Sequence, residues 1–481
     1  MKYLLTAILF LIILPTTFSQ NPDKATTNRI NSYLDSIRKD EARLRQFLSK
    51  MPKGADLHHH YSGSVYAETY LEYVEKNNLW INKNSFAISD KQVPRGERSE
   101  WSRVSSLKTD GYWSDIKVKI IGSWSKLYFD YVSCPNDEHF FSTFDKFSIP
   151  ETATFNEGLQ EIKQRAISEN VSYIETMLTS TGFFEAFQKD EIFNNQLLKL
   201  QETKDKSIQT KFAELYKYYT KENNGIFKSK VEEHNNLIQR LHINNKIDDE
   251  NFTMRYQNYF IRVLDPATTF KSFLISFHSA STSDLIVGVN IVAPENNTIS
   301  MRDYWLHMQM FRFFKSVYPN VRTAMHAGEL TLGLVKPEDL TFHINEAVFI
   351  ADAERIGHGV DIAYEKDSDK LLKHMAENKI PIEISFSSND FILGIRGNRH
   401  PILLYKSYGV PIVISTDDAG VLRTDLTEQF LILIRDYPSI SYQDIKTMIF
   451  NSIEYSFLEK SEKEKLTKDL EKRFLEFEDE F

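Results

Sequence analysis

Short apolar runs separated by helix-forming stretches are the feature that most constrains the fold of this 481-residue chain. Runs that are apolar on both faces are typical of strands buried in a parallel sheet. Eight such runs, most of them followed by a helical pattern, predict an α/β fold of the (β/α)8 TIM-like barrel type. A doubly wound open sheet is the alternative, but no glycine-rich nucleotide loop follows any of these runs. The runs are Asp56–Leu57 leading into His58, Val171–Leu178, Phe270–Phe277, Leu285–Val292, Val321–His326, Arg355–Ile362, Ile380–Phe386 and Val410–Ser415.

The amino terminus predicts export of the protein. Residues 1–19 place Lys2 before an apolar run that ends in small residues, which is the order of a cleaved secretory signal peptide. The apolar run is too short to span a bilayer comfortably, so we expect a secreted or periplasmic chain without membrane attachment after cleavage. A net charge of −9 without a basic block argues against nucleic acid as a partner. The single cysteine, Cys134, excludes an internal disulfide and a site built from several thiolates.

The remaining sequence predicts one barrel domain with extensions. Apolar residues recur at helical spacing between charged residues in 20–50, which predicts a helical N-terminal extension. The barrel is expected over 51–460, followed by a charged C-terminal helix over 461–481. Two insertions are expected within it, a loop-rich one at about 82–136 and a charged helical one at about 183–265.

Polar residues cluster where the predicted strands end, and in a barrel these ends meet at the catalytic face. His58 and His60 end the first run and are two residues apart, so a strand directs both to the same side. The fifth, sixth and eighth runs end in His326–Glu329, His358 and Asp417–Asp418. Each piece alone is weak, because paired aspartates are also frequent in turns. Their joint order predicts three imidazoles and a carboxylate around a divalent ion, for which zinc is the best candidate.

Six motifs follow one another along the chain. They are Met51–His60, His326–Glu329, Arg355–Gly359, Ser387–Asn389, His400–Pro401 and Ser415–Asp418. As a set they resemble the adenosine deaminase family, over about residues 51–430 apart from the two insertions. The Met-Pro-Lys-Gly opening, the signal peptide and the helical extension look most like the secreted branch of that family, the adenosine deaminase-related growth factors.

The resemblance implies a ligand set and a reaction. One zinc ion per chain would be held by His58, His60, His326 and Asp417. Glu329 would protonate ring N1 of a purine, His358 would orient or deprotonate the attacking water, and Asp418 would turn toward that water or purine N7. The implied reaction is zinc-dependent hydrolytic deamination of adenosine or 2′-deoxyadenosine to the inosine form plus ammonia.

The chain departs from the family pattern where the substrate is bound. The family carries an acidic residue just after the second histidine or two beyond it, which resembles a ribose-hydroxyl contact, and this chain has Tyr61 and Ser62 there. A family glycine that approaches the purine aligns near Ala293-Pro294. We therefore expect Ser62, Ala293 and Asp418 as contacts to a small-molecule purine nucleoside.

The sequence leaves three points open. The substrate is either the nucleoside or another 6-aminopurine, such as adenine or N6-modified adenosine. The chain could instead be a catalytically inactive extracellular protein that binds nucleosides or signals, although Glu329, His358 and Asp418 are all intact. A homodimer through the helical extension is a further hypothesis.

Overall fold

The computed structural model describes residues 24–130, 132, 134–179, 190–221 and 224–481. The predicted signal peptide (1–19) and the first residues of the predicted insertion at 183–265 lie outside these ranges. Among the described residues, the helices are all too short or too polar to cross a membrane.

Strands and helices alternate through most of the described chain. The strands are β1 (Gly54–His60), β2 (Trp80–Asn82), β3 (Ile88–Ser89), β4 (Trp101–Arg103), β5 (Val171–Met177), β6 (Thr253–Ile261), β7 (Ile286–Val292), β8 (Arg322–Ala327), β9 (Arg355–His358), β10 (Ile382–Ile384) and β11 (Ile412–Ile414). The helices are α1 (Lys24–Ile37), α2 (Glu41–Lys50), α3 (Tyr61–Ser64), α4 (Ala67–Lys76), α5 (Val104–Thr109), α6 (Trp113–Ser123), α7 (Asn136–Ala153), α8 (Phe155–Ser168), α9 (Glu191–Glu202), α10 (Ile208–Lys221), α11 (Asn224–Asn244), α12 (Pro266–Ser281), α13 (Thr298–Val317), α14 (His343–Phe349), α15 (Ser368–Glu377), α16 (Phe386–Leu393), α17 (Ile402–Tyr408), α18 (Leu426–Asp436), α19 (Tyr442–Glu454) and α20 (Lys460–Glu478).

Eight strands form one parallel sheet in the order β1-β5-β6-β7-β8-β9-β10-β11. The two edge strands meet where β1 ends, because the backbone N–H of Asp417 donates to the carbonyl of His58 at 2.8 Å and a parallel bridge pairs Asp417 with His59. The sheet therefore curves into the nearly closed (β/α)8 barrel that the sequence predicts. Its carboxyl-end loops carry the functional sites in barrels of this kind.

The third strand of the barrel is β6 (Thr253–Ile261), and the predicted strand at Phe270–Phe277 is wrong. Those residues lie inside α12, which begins with a cap from the Asp265 side chain to the backbone N–H of Thr268. Most residues of α12 are buried, so the helix lacks the one-sided apolar stripe of a surface helix. An apolar run of eight residues cannot be separated from a buried helix by its periodicity, which explains the error.

The two predicted insertions contain more regular structure than their sequences indicate. The first, expected to be loop-rich, contains the small antiparallel sheet β3-β2-β4 and the helices α5 and α6. The described part of the second contains helices α9, α10 and α11, and it also includes barrel strand β6. The second insertion is therefore helical only up to the start of β6.

The helical N-terminal extension packs on the barrel of its own chain. Helices α1 and α2 bury an apolar stripe and contact α19 and α18, respectively. The ring of Phe47 lies 5.1 Å from that of Phe477 at the end of α20 and 5.2 Å from that of Phe481. The two ends of the described chain thus meet on one side of the barrel.

Candidate metal centre and active site

The end of β1 directs two imidazoles to the barrel axis and a third into the wall. His58 is fully buried, and His60 keeps a small exposed fraction toward the open end of the barrel. The ring of His59 points the other way, where its Nδ1 lies 2.9 Å from Oγ1 of Thr176 on β5. This alternation is the one expected for consecutive residues of a strand.

The structure brings together the four residues predicted as ligands. The ligand atoms of His58, His60, His326 and Asp417 all lie within 4.8 Å of one another. Nε2 of His326 is 3.0 Å from Nε2 of His58 and 3.1 Å from Nε2 of His60. Oδ1 of Asp417 is 3.2 Å from Nε2 of His60. Four donors at these separations can surround a single cation.

Hydrogen bonds behind the rings leave lone pairs facing the centre of the cluster. Nδ1 of His58 donates to the Glu383 carboxylate at 2.8 Å. Nδ1 of His326 donates to Oδ1 of Asn290 at 3.0 Å, an oxygen that also accepts from the backbone N–H of Ile291. When both rings are neutral with protonated Nδ1, their Nε2 atoms, 3.0 Å apart, each carry a lone pair that a cation between them can accept. The donor set therefore fits a bound metal ion.

The charge states of the cluster also suit a metal ion. Burial and the neighbouring charges of His58 and His60 hold the pKa of His326 well below its ordinary value. Burial alone would raise the pKa of Asp417, but its hydrogen bond with His60 and the charge of His58 hold that pKa well below the usual range. Metal ligands must be deprotonated, and these shifts favour that state in His326 and Asp417. Burial lowers the pKa of His58, but its hydrogen bond with Glu383 and the charge of Asp417 raise that pKa overall, so His58 would release a proton when a metal binds.

Glu329 lies just beyond β8 with its carboxyl group facing the same centre. Its Oε1 is buried and has no hydrogen-bond partner among the described residues. Burial, followed by the charges of Asp417 and Glu295, raises the pKa of Glu329 well above its ordinary value. The loop is held from behind, because the Glu295 carboxylate accepts from the backbone N–H groups of Gly328 at 3.1 Å and Glu329 at 2.8 Å. The arrangement presents a buried carboxylic acid that can give up a proton.

His358 ends β9, and the two nitrogens of its ring face different groups: Nε2 faces the cluster and Nδ1 faces Asn389. Its Nε2 lies 3.8 Å from Oδ2 of Asp417 and is buried without a hydrogen-bond partner among the described residues. Its Nδ1 lies 3.7 Å from Oε1 of Glu329 and 3.1 Å from Nδ2 of Asn389. An unpartnered ring nitrogen beside a metal cluster and an acid can hold a reacting oxygen.

Asp418 completes the set of three predicted catalytic side chains around the cluster. Its Oδ1 is buried and has no hydrogen-bond partner in the described chain. The carboxyl group lies against the backbone of Gly63, where an added Cβ would stand 1.7 Å from Oδ1. Because Gly63 has no side chain, the Asp418 carboxyl group can occupy the space next to it.

A cavity of about 410 Å³ opens above these residues, a volume within the range of small-molecule sites. The predicted substrate contacts Ser62, Ala293 and Asp418 all line it. Ala293 has a φ of 85°, a conformation that glycine adopts without strain. The remaining wall is largely apolar and comes from Phe140, Phe141, Phe144, Tyr259, Ile261, Val263, Val292, Pro294 and Ile392.

Sequence reasoning missed several residues that support the site or line its cavity. Glu383, Asn290 and Glu295 fix ligand rings or the Glu329 loop, and Glu151 of α7 lines the cavity. Burial raises the pKa of Glu151 to about 7. None of these residues belongs to a motif recognisable by spacing. Asn389, in contrast, belongs to the motif Ser387–Asn389, and its position after a predicted strand indicated that it could support the site.

The fold is an eight-stranded parallel barrel, and the His/Asp cluster lies at the carboxyl ends of its strands. Residues 262–473 match the family model described as Adenosine deaminase. The match shows that this part of the chain is similar to the adenosine deaminase family. It includes His326, Glu329 and His358, whereas β1 lies before it.

Curated relatives match part of the chain. An adenosine deaminase from Clostridium kluyveri is 37% identical over 143 residues, which are 30% of this chain and 38% of that protein. An aminodeoxyfutalosine deaminase from Streptomyces avermitilis is 31% identical over 160 residues, which are 33% of this chain and 41% of that protein. The chain thus matches about two fifths of the length of these relatives.

Solved structures resemble the whole barrel at lower identity. An adenine deaminase from Arthrobacter aurescens has a TM-score of 0.53 at 15% identity, covering 88% of this chain and 98% of that one. An amidohydrolase from Burkholderia ambifaria with bound Zn has a TM-score of 0.55 at 16% identity, covering 90% and 93%. An N6-methyl-AMP deaminase from Arabidopsis thaliana has a TM-score of 0.55 at 16% identity, covering 89% and 98%. At these identities the likeness concerns the fold.

Proposed function

We propose that this chain catalyses the hydrolytic deamination of adenosine or 2′-deoxyadenosine, giving the inosine form and ammonia. The observation that carries the proposal is Glu329, a buried carboxyl group whose Oε1 has no partner in the described chain and which faces a His/Asp cluster at the base of a nucleoside-sized cavity. The adenosine deaminase match over residues 262–473 supports the same reaction class.

We propose zinc as the metal, one ion per chain. Three imidazoles, whose Nε2 atoms face one another, and one carboxylate form the mixed nitrogen and oxygen donor set that zinc prefers. The residues that would hold it are His58, His60, His326 and Asp417. When bound in such a site, zinc lowers the pKa of water toward ~7 and so makes hydroxide accessible near neutral pH.

The three side chains around the cluster have separate tasks in this proposal. Glu329 donates a proton to ring N1 as water adds to C6. His358 directs Nε2 at the oxygen of the attacking water, and Asp418 faces that water or purine N7. The oxygen of the water stays on C6 as the C6–N bond breaks. One proton of the water leaves with the amino group as ammonia, and the other restores the acid of Glu329, so that one water is consumed for each ammonia released.

Glu151 is proposed to take over the sugar contact that the family assigns to the missing acidic residue. Its carboxyl group and Ser62 line the same cavity from different helices, α7 and α3. Burial is the cause of its raised pKa, without a contribution from a hydrogen-bond partner. A carboxyl group in this position can bind a ribose hydroxyl, and a carboxylate does so more strongly than a serine hydroxyl.

Two related substrates fit the same geometry. The structural neighbours include an adenine deaminase and an N6-methyl-AMP deaminase, so a free base or an N6-modified purine is the alternative to adenosine. The aromatic wall formed by Phe140, Phe141 and Phe144 would stack on any of these rings. An inactive nucleoside-binding protein is the remaining alternative, and the partnerless acid at Glu329 argues against it.

The proposal is tested by incubating the zinc-loaded chain with adenosine, 2′-deoxyadenosine, adenine and N6-methyladenosine. Purine absorbance and the released ammonia or methylamine report turnover, and Glu329→Gln is the matched control because its amide cannot supply a proton. We expect the wild type to exceed the variant about 100-fold or more. Zinc-bound wild type that converts none of the four would overturn the proposal, and faster conversion of adenine would replace the nucleoside by the free base.

We also propose that the protein is exported, as in the secreted branch that its sequence resembles. The support is the leader-like order of residues 1–19. Mass spectrometry of the chain recovered outside the cytoplasm tests this proposal. A mature N-terminus near Gln20 is expected, and a cytoplasmic chain that begins at Met1 would contradict it.

A further inference from the structure

Three side chains form a line that ends at His358. Nδ1 of His358 is 3.1 Å from the side-chain nitrogen Nδ2 of Asn389, whose Oδ1 is 3.1 Å from Nε2 of His400. Nδ1 of His400 is 3.2 Å from the backbone nitrogen of Ile402. His358, Asn389 and His400 are all buried, so no bulk water competes for these hydrogen bonds.

The backbone N–H at the end of this line determines which atom donates and which accepts in each of its hydrogen bonds. The N–H of Ile402 can only donate, so Nδ1 of His400 must accept and its proton must be on Nε2. Nε2 of His400 therefore donates to Asn389, which fixes the amide oxygen on that side. The amide nitrogen then faces His358 and donates to its Nδ1. Burial, which lowers the pKa of His400 to about 3, agrees with a neutral ring there.

We propose that His400 and Asn389 are positioning residues that hold neutral His358 as its Nε2–H tautomer. The N–H then points to the unpartnered side of the ring, toward the metal cluster. A nitrogen that already carries a proton cannot accept another. His358 therefore donates a hydrogen bond to an oxygen in the site and does not deprotonate the attacking water, which decides between the two roles that the sequence left open. Only the kinetic part of the test rests on the proposed deaminase function.

The tautomer is tested directly by nuclear magnetic resonance of chain labelled with 15N-histidine, both metal-free and zinc-loaded. Long-range 1H–15N correlations distinguish the two tautomers, and His358→Gln identifies the His358 signals. We expect protonated Nε2 in the wild type. In Asn389→Asp we expect protonated Nδ1, because a carboxylate accepts from both rings. Protonated Nδ1 of His358 in the wild type would overturn the proposal whether or not any substrate is turned over.

The kinetic consequence is tested with a matched control. Asn389→Asp should lower kcat about 100-fold or more and leave KM within about threefold. With its proton on Nδ1, the His358 ring no longer donates from Nε2, but its position in the site is unchanged. Asn378→Asp makes the same change in an exposed asparagine that also contacts a histidine, His374, and should leave kcat unchanged.

His400→Gln, which keeps an N–H donor, should retain more activity than His400→Leu at an equal unfolding temperature. Equal losses of kcat in the two His400 variants would contradict the proposed positioning role of His400.

Discussion

Three site residues have left-handed backbone conformations, with φ angles of 85° at Ala293, 68° at His358 and 65° at Asp417. Such conformations cost about 1–3 kcal/mol each in residues other than glycine and persist where the surrounding structure enforces them. Motif order placed His358 and Asp417 at the site, and the family resemblance placed Ala293 there. Their strain is consistent with side chains that are held in position before substrate binds.

Replacement of Ala293 by glycine tests this strain. Glycine has no Cβ penalty at positive φ, so Ala293→Gly should raise the free energy of unfolding by up to about 1 kcal/mol. The same change at Ala376 in helix α15 should lower it by about 1 kcal/mol. Urea unfolding of the metal-free chain measures both. A loss of stability in the two variants alike would show that Ala293 is not strained.

Glu151 makes a prediction about pH. Because burial raises its pKa to about 7, the carboxyl group is neutral below that pH and ionised above it. An ionised acceptor binds a hydroxyl group more strongly, so KM for adenosine should fall about fivefold between pH 6 and pH 8. Glu151→Gln should lack this change in KM. Parallel KM profiles for the variant and the wild type would exclude Glu151 from the sugar site.

Residues in motifs could be predicted from sequence, and isolated supporting residues could not. His58 and His60 share a strand face, so their spacing carries structural information. Glu151 and Glu383 are single acidic residues in apolar surroundings, and only the tertiary fold shows what they contact. Their roles depend on segments far away in the chain.

At the scale of elements, the barrel was predictable but one of its strands was not. Strand β6 carries Arg255, Gln257 and Asn258, which make it look like part of a polar insertion. Inside the barrel these side chains have partners, as in the hydrogen bond from Gln257 to Glu175 at 3.0 Å. Polar residues that are paired within the fold make a strand hard to recognise from sequence, and the largely buried helix α12 resembles a buried strand in its sequence pattern.

A buried ion network joins three barrel strands beneath the metal cluster. The Arg355 guanidinium donates to Glu383 at 2.5 Å and lies 2.8 Å from Glu175, and all three residues are buried. Arg355→Met would leave two carboxylates without their cation, so we expect a loss of about 3–5 kcal/mol in the free energy of unfolding. Urea denaturation of the metal-free chain measures this loss. Arg322→Met removes a half-exposed arginine from the neighbouring strand and should cost less than about 1 kcal/mol. Equal effects would contradict the network.

At the scale of the whole molecule, both ends of the described chain stabilise one side of the barrel. Phe47 contacts Phe477 and Phe481, so Phe47→Ala should lower the free energy of unfolding by about 3–5 kcal/mol. Ser49→Ala, an exposed neighbour, should change it by less than about 0.5 kcal/mol. Thermal or urea unfolding of both variants measures these changes. A Phe47→Ala variant with the stability of the wild type would show that the extension is not part of the folded core.

The same packing bears on the proposed oligomer. The apolar stripe of α1 and α2 is buried in contacts within its own chain. A homodimer through the extension stays a prediction, and it would have to use the outer, polar face of these helices. Sedimentation of the full chain beside a chain lacking residues 20–50 tests it, since a dimer that survives the deletion does not use the extension.

We propose that water replaces the 6-amino group of a purine at the centre formed by the His/Asp cluster and Glu329. Conversion of adenosine by the zinc-loaded chain in 18O-labelled water, followed by mass spectrometry of the purine and assay of ammonia, tests this replacement. We expect one labelled oxygen in the base and one ammonia for each adenosine consumed. Release of unlabelled adenine with a labelled sugar, or ammonia without label in the base, would contradict it.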